Sequence, residues 1–238
     1  LKQMPRSQWK SEQNSRFRNS NRILNNGIEI SVSKVRPIEP NNNSVLYHAS
    51  QSMPHTSSGY AIRTHGLISA LNNHGINVQT LLRYGYPLDR NDFKQNAIEP
   101  MEKVENVNYH FTHVNREDTS IINYQEVYSF NKIEEYLEKA ITSIINKSKT
   151  FRPKIIHSAS NFVVGIAGAK AAKALGIPSI YEIRGFWHLT QSTKRQGYEG
   201  SDHYNLTERL EIETAKASDH VFTITNALKN ILIENGIA

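Results

Sequence analysis

Short apolar runs alternate along the chain with longer stretches in which apolar residues recur every three or four positions. From Ser44 onward the apolar runs are SVLYHAS, INVQTLL, VNYHFTHV, KIIH, SIYEI and HVFTIT, and each is predicted to be a strand. The stretches with helical spacing cover residues 59–74, 126–147, 163–175, 201–217 and 226–234. Because the strands are almost entirely apolar, we expect a parallel sheet that is covered on both faces. The pattern predicts an α/β fold with a doubly wound, mostly parallel, Rossmann-like sheet over residues 44–238.

Residues 1–43 differ in composition from the rest of the chain. They are rich in Asn, Ser, Arg and Lys, and they end in IEPNNNS, which is typical of a linker. Within them GIEISVSKV, residues 27–35, alternates apolar and polar positions and predicts a short strand. We expect this region to be an N-terminal extension or linker that is partly disordered. The start of the chain is not a signal peptide. Since it begins with Leu1 and lacks an initiator Met, we also expect it to be a piece of a longer protein.

Composition excludes several classes of chemistry. The 238 residues include no cysteine, which excludes disulfides, thiolate nucleophiles and cysteine-ligated zinc and fits a reducing compartment. The ten histidines form no HExxH or other metal-ligand spacing, so no metal site is predicted. The most apolar stretch, NFVVGIAGAKAAKALGIPSI, is interrupted by Lys170 and Lys173 and cannot span a bilayer. We therefore expect a cytoplasmic protein.

The charge balance points to anionic partners. Lys and Arg number 28 against 22 Asp and Glu, which gives a net charge of +6, and such an excess favours phosphates or an acidic membrane face. The basic residues are dispersed and no recognition motif is present, so nucleic acid is not an expected partner. Peripheral contact with the inner face of a membrane stays open, although no basic amphipathic helix stands out.

Candidate chemistry lies directly after three of the predicted strands. In an open parallel sheet, ligands bind beyond the carboxyl ends of the strands, where the strand order switches. The polar residues at these positions are His55, Ser57, Ser58 and Gly59 after the first strand, His157, Ser158 and Ser160 after KII, and Arg184, Gly185, Trp187 and His188 after SIYEI. Two histidines, an arginine and a glycine turn at one sheet edge predict a polar, anion-tolerant cleft.

Each of these features has a plainer structural explanation. Ser58 and Gly59 suit a helix cap and turn, and His157 suits a hydrogen-bonded structural histidine. Arg184 could anchor a loop while Trp187 fills the core. Neither GxGxxG nor GxxxxGK[ST] is present at these positions, which removes the support for a dehydrogenase or a P-loop NTPase. The acidic residues of the predicted helix over 201–217, Glu208, Glu211 and Glu213, are expected to form a solvated face.

Three segments in order resemble one protein family. SVLYHAS with SSGYAIRTHGLISALNNHGINV looks like the opening of family 4 retaining glycosyltransferases, which have the GT-B architecture. KIIHSASNFVVGIAGAKAAKALGIPSIYEIRGFWH resembles that family's H-x-H-S…G-x-P-x-x-Y-E-x-R-G-x-W-E pattern. YEGSDHYNLTERLEIETAKASDHVFTITNALKNILIENGI resembles the end of the family's N-terminal half. The resemblance covers residues 44–238 at the expected spacing.

The resemblance implies a two-domain enzyme of which this chain is the acceptor-side half. Such an enzyme moves a hexosyl group from a nucleotide-diphosphate sugar onto a glycan or lipid-linked sugar, as in polysaccharide biosynthesis, and the departing phosphate accepts the acceptor proton. The donor is a substrate, and no cofactor or metal is implied. The C-terminal donor-binding domain, with the family's paired glutamates, has no counterpart here, so we expect this piece alone to be inactive.

Site roles carry over from the family motifs onto residues of this chain. His157 and Arg184 are implied to be catalytic, since Arg184 aligns with the position where many relatives have a histidine near the transferring sugar. A cation there would stabilise charge on the leaving phosphate or orient an acceptor hydroxyl. Gly59 would allow close approach to the donor phosphates. The implied substrate-binding residues are Ser58, Gly59, Arg63, Ser160, Gly185, Trp187 and His188.

Three positions depart from the family pattern. Ser58 replaces the first glycine of a Gly-Gly pair, Ala159 replaces the second histidine of H-x-H-S, and His188 replaces a glutamate. These substitutions support an alternative, a non-catalytic domain of the same fold that binds a glycan or a partner.

Overall fold

The strands of the chain form one mostly parallel sheet. The structure, a computed structural model, describes residues 18–32 and 35–237. The strands are β1 Ser44–Ala49, β2 Asn77–Leu82, β3 Met101–Val104, β4 Val107–His110, β5 Ile155–Ala159, β6 Ser179–Ile183 and β7 His220–Thr223. Their order across the described sheet is β3-β4-β2-β1-β5-β6-β7, and only the β3–β4 pair is antiparallel. The predicted Rossmann-like α/β fold is confirmed.

The helices cover both faces of this sheet. They are α1 (residues 18–26), α2 Gly59–Asn73, α3 Tyr124–Tyr128, α4 Ile133–Phe151, α5 Phe162–Leu175, α6 Trp187–Ser192, α7 Asp202–Ala217 and α8 Asn226–Glu234. Alternate strand residues point to opposite faces, so Leu46 and Ile156 are buried in one cluster with α4 and α5, whereas Tyr47 packs in a second cluster with Ile68 of α2. The order reverses at β1, which pairs with β2 on one side and β5 on the other. This switch point is where a doubly wound sheet opens a crevice.

Two predicted elements have different bounds in the structure. The helix predicted over 126–147 is divided into α3 and α4, because Phe130 between them has φ +57° and interrupts the helical path. The strand predicted from VNYHFTHV ends at His110. Its parallel partner β2 stops at Leu82, and beyond Phe111 an isolated antiparallel bridge between Ala97 and Asn115 replaces the ladder.

The N-terminal region packs against the domain over its described residues. Helix α1, which the sequence pattern did not predict, places Ile23 fully buried in the cluster with α4. Arg22 forms an ion pair with Glu134 of α4, and the Glu29 amide donates to the same carboxylate at 2.8 Å. The strand predicted over 27–35 does not form at residues 27–32, and residues 33–34 and 1–17 lie outside the described part.

Candidate functional site

A cavity of about 310 Å³ lies at the carboxyl ends of β1, β5 and β6, beside the switch point. Segments that are far apart in sequence line it: Ser50, Gln51, Tyr60, Tyr128, Ser160, Asn161, Arg184, Gly185, Trp187 and Thr190. We call this space the switch-point cavity. Four predicted site residues contribute to its wall: Ser160, Arg184, Gly185 and Trp187. The fold therefore brings the segments after β1, β5 and β6 together, as a parallel sheet requires.

Helix α2 begins at the rim of this cavity. Ser58 is its N-cap, and its hydroxyl accepts from the Ala61 amide at 3.3 Å and donates to Gln51 at 3.0 Å. Gly59, the first helical residue, is exposed, and a Cβ built on it would meet nothing within 4 Å. No contact within the described chain therefore requires glycine at this position.

Arg184 is held inside the protein by as many hydrogen bonds as its guanidinium has N–H donors. Its Nε and Nη2 donate to the Glu182 carboxylate, each at 3.1 Å. Nη1 donates to the Tyr60 carbonyl at 3.0 Å and to the Thr64 hydroxyl at 2.8 Å, and Nη2 also reaches the Tyr47 hydroxyl at 2.7 Å. The Arg184 side chain is only 7% exposed. Arg184 therefore joins the end of β6 to the first two turns of α2 and has no spare donor for a ligand.

Glu182 is the centre of this buried network, although the sequence analysis did not single it out. Its carboxylate accepts from the Tyr47 hydroxyl at 2.7 Å and from Arg63 Nε at 3.1 Å, in addition to Arg184. Burial alone would raise the pKa of Glu182, but the nearby His157 imidazole, the hydrogen bonds from Arg184 and Tyr47 and the Arg184 charge outweigh it and hold the pKa well below its usual range. The carboxylate is ionised at neutral pH.

His157 lies within β5, two residues before the strand ends, and not in the loop after it. Its side chain points to the α2 side of the sheet, where its ring lies 4.5 Å from the ring of Tyr47. Its Nε2 is 3.4 Å from Glu182 Oε2, without the alignment of a hydrogen bond. His157 therefore contacts the Glu182 network from inside the domain and is not part of the cavity wall.

Arg63 is the arginine of the Glu182 network whose terminal nitrogens are exposed to solvent. It follows Gly59 by four residues, so both lie on the same face of α2. Its side chain is 53% exposed, and only Nε is bound, to Glu182. The two terminal nitrogens have no partner among the described residues. Glu182 thus holds Nε of the Arg63 guanidinium, while the two terminal nitrogens face solvent beside Gly59.

Ser160 and Trp187 shape the cavity wall. The Ser160 hydroxyl accepts from the Arg184 amide at 2.7 Å and donates to the Glu182 carbonyl at 3.2 Å, which ties the end of β5 to the end of β6. Trp187 stacks on Tyr128, with ring centroids 5.2 Å apart and planes 19° apart. Tyr128 in turn binds the side chain of Asn161. Aromatic faces and an amide therefore line the side of the cavity that faces α3.

His188 is not brought to the cavity. It follows Trp187 on α6, and neighbouring helical residues point about 100° apart. Its side chain is 3% exposed, stacks on Phe186 and meets the edge of Tyr204, and burial lowers its pKa to about 4. The imidazole is neutral and packs between α6 and α7.

The structure corrects one further expectation, that the acidic residues of α7 form a solvated face. Glu211 is fully buried, and its carboxylate accepts from the Tyr181 hydroxyl at 2.6 Å and from the Phe162 amide at 3.1 Å. Burial raises its pKa to about 7. The helical spacing places Glu211 on the apolar stripe with Leu210 and Ala215, which the sequence pattern already contained.

The remaining site residues that sequence reasoning missed are Tyr60, Tyr128 and Asn161. Glu182 lies in the family-like segment YEIRG, but the sequence pattern did not reveal its role in the buried network. Tyr128 could not be placed, because α3 was predicted as part of a longer helix. Among the described residues, no group of three histidine or acidic side chains is arranged to hold a metal ion. Over the same residues, no helix is long and apolar enough to cross a membrane.

Comparison with known proteins identifies a family. The sequence profile of Glycosyltransferase Family 4 matches residues 57–238. Curated protein sequences give no match. Among solved structures, UDP-GlcNAc 2-epimerase from Methanocaldococcus jannaschii is similar at 13% identity and TM-score 0.46, covering 82% of this chain and 43% of that one. The enzyme of that name from Neisseria meningitidis, bound to UDP-GlcNAc, is similar at 18% identity and TM-score 0.44, covering 82% and 44%. This chain spans less than half the length of either structure.

Proposed function

Since the chain belongs to glycosyltransferase family 4, we propose that it is the acceptor-side domain of a retaining enzyme that uses a nucleotide-diphosphate sugar. The acceptor hydroxyl, on a glycan or lipid-linked sugar, binds in the switch-point cavity. The observation that carries the proposal is that three separate segments, after β1, β5 and β6, line this one cavity. A separate domain supplies the donor site, so this chain alone does not catalyse turnover of the nucleotide sugar. We place the reaction in the cytoplasm or at the inner membrane face, with no metal required.

Within this proposal Arg63 interacts with the donor diphosphate. Its terminal nitrogens are free among the described residues, its charge is exposed, and Gly59 beside it leaves room for phosphate oxygens. A preorganised cation next to the leaving phosphate stabilises the charge that develops on it. Arg184, whose donors are all used, and His157, which lies behind Tyr47, support this edge by positioning α2. The prediction that these two residues are catalytic is replaced in the proposal by this positioning role.

The test is nucleotide-sugar turnover by the full-length protein with paired variants. Gly59→Val fills the rim and should lower kcat/KM about a hundredfold, because it displaces the phosphates. Gly66→Val is the matched control. Gly66 lies on the same helix, is exposed, and has nothing within 4 Å of a built Cβ, so its valine should leave turnover unchanged.

A second pair tests the charge. Arg63→Ala should lower kcat about a hundredfold with little change in stability. Lys154→Ala removes an exposed cation just before β5, at the opposite edge of the sheet, and serves as control. Wild-type rates in both Gly59→Val and Arg63→Ala would overturn the assignment of the donor-facing rim.

A non-catalytic glycan-binding module is the second candidate. The observation that favours it is that neither residue predicted to be catalytic offers a free polar group to the cavity, since Arg184 is fully bonded and His157 lies inside the domain. Glycan binding by the full-length protein without any nucleotide-sugar turnover would favour this candidate over the enzyme.

A further inference from the structure

A second cavity, of about 370 Å³, adjoins the switch-point cavity at the carboxyl end of β2. It lies between the residues after β2 and helix α3, and we call it the β2-end cavity. Tyr128 lines both cavities, and the Tyr124 hydroxyl at the second cavity donates to Asn161 of the first at 3.4 Å. One thin wall of two tyrosines therefore separates the two spaces. Each has the size of a small-ligand pocket.

The charged side chains that line the β2-end cavity form ion pairs with one another. Arg83, which is 4% exposed, forms a two-point ion pair with Asp89, and Arg90 forms another with Asp92. Each cation in the wall thus has its own carboxylate. Such a lining favours a neutral polar ligand over a phosphate, in contrast to the uncompensated edge of Arg63.

The wall of the β2-end cavity also contains the hydrogen-bonding groups and aromatic rings that bind a polyhydroxylated ring. The Arg83 guanidinium lies 3.8 Å from the centre of the Tyr124 ring, and its Nε is buried without a hydrogen-bond partner among the described residues. The side-chain amides of Asn91 and Gln125 on the rim are exposed and have no partner there either. Free amides and aromatic rings match the hydroxyl groups and the apolar ring faces of a sugar.

We propose that the β2-end cavity is a second acceptor subsite, so that the acceptor is an oligosaccharide with neighbouring neutral sugar units in the two cavities. This rests on the proposed function, because the acceptor must reach the switch-point cavity for the second subsite to matter. The amides of Asn91 and Gln125 donate to hydroxyls of the outer unit, and the tyrosine wall lies between the two units.

The experiment measures saccharide binding to this chain. A glycan array of neutral mono-, di- and trisaccharides identifies the tightest ligand, and a titration followed by NMR compares that ligand with the monosaccharide at its reactive end. We expect the longer ligand to bind at least about tenfold more tightly, from hydrogen bonds made only in the second cavity. Charged analogues carrying sulfate should bind no better than the neutral ligand.

Variants separate this inference from the proposed function. The double variant Asn91→Ala/Gln125→Ala should remove the about tenfold advantage of the longer ligand and leave monosaccharide binding unchanged, whereas Asn146→Ala, an exposed amide on α4, should change neither. Equal affinity of long and short ligands, or an advantage that survives the double variant, overturns the second subsite and leaves the proposed function standing. No saccharide binding anywhere on the array overturns both.

Discussion

Removing the Glu182 charge is the sharpest test of the network beneath the cavity. In Glu182→Gln the buried Arg184 loses its only carboxylate, with both contacts at 3.1 Å. At that separation and an effective dielectric constant near 20, one pair of charges attracts by about 5 kcal/mol. Removing one partner of a buried pair costs about 3–5 kcal/mol, because the other charge stays buried and unpaired. A domain is stable by only about 5–15 kcal/mol in total, so the loss should be large.

The exposed member of the same network provides the control. Arg63→Gln removes a cation whose side chain is 53% exposed, and such a pair contributes at most about 1 kcal/mol. Chemical unfolding followed by intrinsic fluorescence measures both free energies. The double variant Glu182→Gln/Arg184→Met should recover part of the loss, since no unpaired charge remains. A Glu182→Gln domain within 1 kcal/mol of wild type, or no more destabilised than Arg63→Gln, would refute the reasoning.

The sign of the pH dependence follows from the direction of the shift. The pKa of Glu182 is lower in the folded protein than the ordinary value of 4.5, so at acid pH the unfolded chain takes up a proton that the folded protein does not. The contribution of Glu182 is therefore complete above pH 4.5 and is lost as the pH falls below it towards the folded pKa. Wild type should lose more stability than Glu182→Gln on going from pH 5 to pH 3.

Three further predictions concern packing, a buried acid and the cavity wall. Gly168→Ala should destabilise the fold by about 1–3 kcal/mol, because its Cβ would lie 1.9 Å from Ser158 Oγ. Gly66→Ala, on an open helix face, should instead stabilise the fold by about 0.5–1 kcal/mol. Thermal unfolding of both variants measures these changes. Burial raises the pKa of Glu211 to about 7, so the folded protein releases this proton at higher pH than the unfolded chain. The free energy of unfolding of wild type should therefore fall by roughly 3 kcal/mol between pH 4.5 and pH 8. Glu211→Gln should abolish this pH dependence of the unfolding free energy. Trp187→Ala should weaken saccharide binding about tenfold while Trp187→Phe retains most of it, measured by the same titration.

The fold could be predicted from the sequence because its signals are local. An apolar run such as SIYEI or KIIH can be buried on both sides only in a covered parallel sheet, and the helical stripes between the runs supply the cover. The segments after β1, β5 and β6 were identified for the same reason, since parallel strands bring their carboxyl ends to one edge. Helix α1 was missed because its residues are mostly polar and it is placed by contacts with the distant helix α4. Strand β3 was missed because it has only four residues, two of which are charged.

The roles of individual side chains depended on distant partners. His157 and Arg184 are polar residues near strand ends, and nothing local shows that Tyr47, Tyr60 and Thr64 lie around them. The alternation of side chains along β5 places His157 on the α2 side of the sheet, and the acceptors around Arg184 use all of its donors within the domain.

The amino-acid sequence by itself thus determined the α/β class, the order of the elements and the sheet edge at which a ligand can bind, because these follow from hydrophobic periodicity and chain connectivity. Only the tertiary structure decided which cation remains free. Glu182 accepts two hydrogen bonds from the buried Arg184 and one from Arg63, whose side chain stays 53% exposed to solvent. Burial and pairing are properties of three-dimensional neighbours, and no local pattern in the chain encodes them.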